Sequence, residues 1–252
     1  SGYDFEQSAS RHHEIVAAFP ETTFNDMPES TIDGENLVFI VGMLRSGSTL
    51  TEQIIDAHPR GQGVGEVEYL QNILNDATAG QSFSTTWSSL TQGDLTSIAN
   101  RYVNEIAKHA KHDVIVDKQL GNFLNVGAIS KLFPKAKIIH CSRNPLSMGL
   151  SCFAQKLPPN TNAWASTLED IGQFYNEYMR LMKHWELVIG YNMLNVSYEV
   201  LTTNQEAMTR TILEHCGLEY DERCMRFWET GRTVLTLSQD QDSLNHSSRS
   251  AT

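Results

Sequence analysis

Unbroken apolar runs recur along the chain, each followed by a polar turn and then by apolar residues at helical spacing. Leu37–Val41 shows no polar alternation, the pattern of a strand covered on both faces of a parallel sheet. Val114–Val116, Ala136–Cys141 and residues 193–197 are the further predicted strands. Helical spacing is predicted over 6–18, from the turn after Gly42 to His58, and over 93–111, 122–133, 145–155, 167–187, 204–215 and 221–229. Pro59 and Pro134 stop two of these helices. In the 167–187 helix, Leu168, Ile171, Phe174, Tyr178, Leu181 and Trp185 form one stripe, and Ser166 with Glu169 reads as a capping box. Residues 20–36, 79–91 (around Trp87) and 156–165 read as loops, and 238–252 is polar without periodicity. Strands alternating with helices imply an α/β, P-loop-like fold: a parallel sheet with right-handed crossovers and helices on both faces. The expected organisation is an N-terminal helix and connecting loop over 1–36 and one domain over 37–252.

Composition narrows the picture. The 252 residues suffice for one α/β domain, and an apolar content of 40% fits a globular protein. A net charge of −11 argues against broad nucleic-acid binding driven by counterion release, while leaving room for a local basic pocket. The four cysteines form no C-x-x-C pair, and those in apolar runs read as small core residues. No apolar run is long enough to span a bilayer, and no signal peptide opens the chain. A cytoplasmic placement is the expectation, for a chain read as a possible fragment.

The sharp chemistry follows the strands. Gly42, Gly47 and Thr49 stand at the spacing of a phosphate loop, but Ser48 occupies the lysine position. Backbone amides at such a turn still cradle an anion. Losing the lysine argues against ordinary ATP or GTP hydrolysis, and Arg45 can supply the charge instead. Arg143, at a strand end, and Ser151, two turns into the next helix, can grip a second phosphate. Arg143 paired with a surface carboxylate is the plainer alternative. Lys118 can stabilise charge that develops in a transition state, and Glu66 can act as general base toward a hydroxyl, with Glu68 as its rival. For each, exposure to solvent is the plainer alternative. Tyr198 follows the last strand. His109 and His112 are expected to share a helix face, with a solvated face favoured over a metal. In open parallel sheets, ligands bind beyond the carboxyl ends of the strands, so these motifs are expected on one rim.

These residues carry a resemblance. Phe39–Leu50 (FIVGMLRSGSTL) resembles the 5′-phosphosulfate loop of sulfotransferases that use 3′-phosphoadenosine 5′-phosphosulfate (PAPS). Asp56–Pro59, Gly65-Glu66, Asp117-Lys118, Asn122-Phe123, Arg143–Pro145 with Ser151, and Tyr198–Leu201 resemble the family's later landmarks, in order. Bacterial sulfotransferases linked to tetratricopeptide repeats are most similar, tyrosylprotein sulfotransferases more distantly so. The resemblance implies the sulfotransferase fold and transfer of a sulfuryl group from PAPS to a hydroxyl, leaving the desulfated product PAP, with no metal required. It assigns Arg45, Ser46, Gly47, Ser48 and Thr49 to the 5′-phosphate and sulfate. Arg143 and Ser151 go to the 3′-phosphate, and Tyr198 and Ser247 or Ser248 to the nucleotide site. Glu66 becomes the base and Lys118 the transition-state stabiliser, with Arg45 beside them. Leu44, Gln119-Leu120, Asn144 and the tail from Gln241 depart from the family pattern, and no tetratricopeptide array precedes residue 37. A peptide tyrosine, a carbohydrate and a small metabolite are the open acceptors. A small-molecule P-loop kinase and a PAP-binding module without catalysis are the alternatives.

Overall fold

The computed structural model describes residues 2–79, 81, 86–155, 157 and 162–229. Among them, five parallel strands form one sheet in the order β2–β3–β1–β4–β5. They are β1 (Leu37–Gly42), β2 (Gly61–Gly65), β3 (Val114–Asp117), β4 (Lys137–Ser142) and β5 (Met193–Ser197). The fully apolar strand β1 is central: Phe39 lies opposite Asp117 on one side and Ile138 on the other.

The period of two along β1 feeds two cores. Phe39 and Val41 enter a large apolar cluster on one face, while Val38 and Ile40 enter a smaller one on the other. Ile15 and Phe19 of α1 (Phe5–Ala18) join the larger cluster. So do side chains of α3 (Tyr69–Ala77), α4 (Gln92–Ala107), α5 (Val126–Leu132), α6 (Pro145–Ala154) and α7 (Leu168–Ile189). On the opposite face lie α2 (Ser48–Asp56), α8 (Tyr198–Thr203) and α9 (Gln205–His215). All four cysteines are buried. No described helix is long and apolar enough to cross a membrane.

Several elements differ from the sequence-based expectation. The cap of α7 is Thr167, not Ser166: its hydroxyl accepts from the Asp170 N–H at 3.0 Å. Leu168 is then half out of the apolar stripe, 53% exposed, while Tyr178, Leu181 and Trp185 are buried. α4 ends at Ala107, so His109 and His112 lie on the turn beyond it, His109 against the Tyr69 hydroxyl and His112 against the Pro59 carbonyl. Trp87 is buried and packs 5.0 Å from the Phe19 ring.

Strand β2 carries no apolar run at all, because α2 crosses tightly over it. A side chain at Gly61 would strike the Ile55 carbonyl, and a Cβ at Gly63 would lie 2.5 Å from Glu52 Oε1. β2 is also an edge strand. The Gln62 amide clasps the chain beyond α4, donating to the His109 carbonyl at 2.8 Å and accepting from the Lys111 N–H at 2.7 Å.

Candidate active site

Strand β1 runs into a loop whose backbone only a few residues tolerate. At Gly42 an added Cβ would lie 2.7 Å from the Cys141 carbonyl, and at Gly47 2.7 Å from the Tyr198 ring. Gly47 has φ +92°, and Arg45, with no glycine's freedom, is held at φ +69°. A non-glycine residue in the left-handed region is strained, and such strain collects at functional loops. Helix α2 begins at Ser48 with Gly47 as its cap, which offers no side-chain acceptor, and its first turn holds no acid. The leading N–H groups of α2, at the positive end of its dipole, therefore form an anion cradle.

This cradle opens into a cleft of about 400 Å³. Arg45, Gly47, Ser48, Thr49, Glu66, Arg143 and Tyr198 line it, with Leu44, Leu120 and Leu157 as an apolar part of the wall. The strand ends of β1, β4 and β5 deliver Arg45, Arg143 and Tyr198 to the same rim.

Arg143 leaves β4 and donates from Nη1 to the Arg45 carbonyl at 3.3 Å. Its guanidinium lies 4.6 Å over the Tyr198 ring. Such a cation–π contact contributes about 0.5–2 kcal/mol, the more as it is desolvated. Arg143 Nε and Ser46 Oγ are buried without a protein partner among the described residues. Buried polar atoms of this kind call for a ligand or water to satisfy them. Ser151 Oγ accepts from Arg45 Nε at 3.0 Å, so Ser151 meets the cleft through Arg45. Asn144 caps α6, its side chain accepting from the Leu146 and Ser147 N–H groups, and its own N–H donates to Glu199 at 2.9 Å.

Lys118 follows β3 and is 1% exposed, not solvated. Its ammonium donates to Glu66 Oε1 at 2.6 Å. Glu66 lines the cleft and Glu68 does not. Behind this pair, Asp117 is buried and accepts from the Tyr102 hydroxyl at 2.8 Å and from the Gln119 N–H at 2.9 Å. Burial pushes its carboxyl up to about 7.

The structure thus brings Arg45, Gly47, Ser48, Thr49, Glu66, Arg143 and Tyr198 to one cleft, with Lys118 and Ser151 one hydrogen bond behind its wall. Ser247 and Ser248 lie outside the described residues. Glu52, buried on α2 beside Lys118, was not anticipated. In sequence it is one more polar residue of an amphipathic helix, and only the packing of α2 on β2 distinguishes it.

Comparison with known proteins bears on the family and the fold. A model of the sulfotransferase family matches residues 37–222. An uncharacterized protein of Aquifex aeolicus (strain VF5) is 33% identical over 215 residues, covering 81% of this chain but 28% of its own length. A putative protein-tyrosine sulfotransferase of Caenorhabditis briggsae is 27% identical over 202 residues, covering 77% of this chain and 70% of its own. The chain therefore spans well under a third of the Aquifex protein. Among solved structures, the sulfotransferase domain from the curacin biosynthetic pathway shares the fold, with TM-score 0.59 and 15% identity, covering 83% of this chain and 81% of that one.

Proposed function

The chain belongs to the sulfotransferase family, and on that premise we propose that it moves a sulfuryl group from PAPS to a hydroxyl acceptor. The observation that carries this reading is the meeting, at one cleft, of an uncapped helix N-terminus, two arginines and a carboxylate paired with a buried lysine behind the wall. PAPS, when bound, supplies the activated sulfuryl group on its 5′-phosphate. The residues present suit it: the cradle favours an anion, and the buried Arg143 Nε and Ser46 Oγ lack protein partners among the described residues.

In this reading the N–H groups of Ser48 and Thr49, with Arg45, bind the 5′-phosphate end. Arg143, steadied by the Tyr198 ring, binds the 3′-phosphate together with Ser151. Glu66 takes the proton from the acceptor hydroxyl at a carboxylate oxygen, and Lys118 supplies fixed positive charge next to it. Leu44, Leu120 and Leu157 give the cleft an apolar wall that suits a ring or an alkyl body. The Caenorhabditis briggsae relative is named for protein tyrosine, which makes a tyrosyl peptide the first acceptor to assay.

Calorimetry with PAP and AMP tests the nucleotide assignment. A 3′-phosphate held by charged donors gains about 1.5–3 kcal/mol, so PAP is expected to bind roughly ten- to a hundredfold tighter than AMP. Arg143→Ala should erase most of that difference; equal affinities in the unaltered protein would overturn the 3′-phosphate site. Glu66→Gln keeps the shape and removes the basicity. Turnover is expected to fall by roughly 10²–10⁴, with PAP affinity held within about twofold. If Glu68→Gln abolishes transfer and Glu66→Gln does not, the base is Glu68.

A further inference from the structure

We propose that Glu52 is the standing counter-ion of Lys118, a positioning residue that holds this lysine in place when Glu66 turns away to an acceptor hydroxyl. Its part in turnover rests on the sulfuryl-transfer reading above; the ion-pair geometry does not.

Lys118 is 1% exposed, and a buried ammonium stripped of its counter-charge is strongly destabilising. In the structure its close partner is Glu66, at 2.6 Å, which is part-exposed and lines the cleft. A general base must offer its oxygen to the incoming hydroxyl. If Glu66 were the sole counter-charge, each proton transfer would leave the buried ammonium stranded. Glu52 removes that conflict. It is 2% exposed, lies off the cleft, and brings Oε2 to 3.9 Å from Lys118 Nζ. Asp117, the other acid nearby, has its oxygens engaged by Tyr102 and Gln119.

The fold makes room for this carboxylate. Gly63 leaves the space that a Cβ would take, 2.5 Å from Glu52 Oε1. The same oxygen accepts the Gly65 N–H at 2.9 Å, and the Gly65 carbonyl accepts the Lys118 N–H at 3.0 Å. One side chain on the cradle helix therefore ties together the residue before Glu66 and the strand end that carries Lys118. Two carboxylates flank one ammonium, the exposed one free to exchange partners and the buried one fixed.

A stability cycle at pH 7 tests the ion pair without any substrate. Glu52→Gln retains an oxygen for the Gly65 N–H and loses the charge. Glu66→Gln removes the other charge. Each single variant leaves Lys118 one counter-ion, so denaturation midpoints should drop modestly. The double variant should lose more than the sum of the two, and adding Lys118→Met should recover that excess. Strict additivity, or no recovery, overturns the proposal. Kinetics then tests the role: Glu52→Gln should lower kcat about tenfold or more and leave KM for PAPS within about twofold. Wild-type kcat in that variant overturns the role in turnover. Failure of the unaltered protein to bind PAP would sink the transferase reading instead, leaving the stability cycle to decide on the ion pair.

Discussion

At the scale of single residues, Asp117 links the site to pH. Burial raises its carboxyl from 3.8 to about 7. A carboxyl whose pKa rises on folding binds its proton more tightly in the folded state. It therefore adds stability that is complete below the unfolded value and lost as pH rises through the folded one. Unfolding free energy is thus expected to fall as pH climbs from about 4 to about 7. Asp117→Asn, which keeps an oxygen for the Gln119 N–H, should flatten that slope in denaturant titrations across the same window. An unchanged slope would assign the pH dependence to other groups. Residues at strand ends were the legible ones: Arg45, Lys118, Arg143 and Tyr198 each follow a strand expected from the sequence, and topology alone sends them to one rim. Glu52 and the burial of Lys118 were not legible. Both arise from α2 packing across β2 and β3, a contact between segments that no local pattern encodes.

Among the elements, most helices and the apolar strands were legible, and β2, like helix α3, was not. Its sequence, Gly-Gln-Gly-Val-Gly, reads as a loop because glycine is a poor strand former. Tertiary contact overrides that preference: α2 lies so close over Gly61 and Gly63 that no side chain fits beneath it. The cap of α7 illustrates a smaller error, one residue in size. Ser166 and Thr167 are both competent caps, and Thr167 is the one whose hydroxyl receives the Asp170 N–H. Thr167→Ala should therefore cost about 1 kcal/mol and Ser166→Ala little, as read by chemical denaturation. Equal losses would mean that the helix can begin at either residue. His109 and His112 left their expected helix for a related reason: periodicity runs on past Ala107, but the chain must turn there to bring Val114 into register with Gly61.

For the whole molecule, a net charge of −11 coexists with an anion cradle because the cradle is built from backbone dipoles and a few arginines confined to one rim. Global charge was a poor guide to the site, and strand order a good one. The same strand order leaves β2 at the border of the sheet, where a row of backbone groups faces outward. Gln62 of this strand fastens the His109–Lys111 segment through both ends of its amide. An open border is a template on which a second chain can add a strand. Loss of the clasp is therefore expected to favour self-association, a property set far from the cradle. Gln62→Ala should leave PAP affinity within about twofold, since its side chain touches no cleft residue, while light scattering on mild heating rises earlier and more steeply with protein concentration. Scattering that matches the unaltered protein would show that the border is shielded by other means. Glycines that let a helix settle over β2 thereby leave that strand a single polar side chain, Gln62, with which to hold its neighbours.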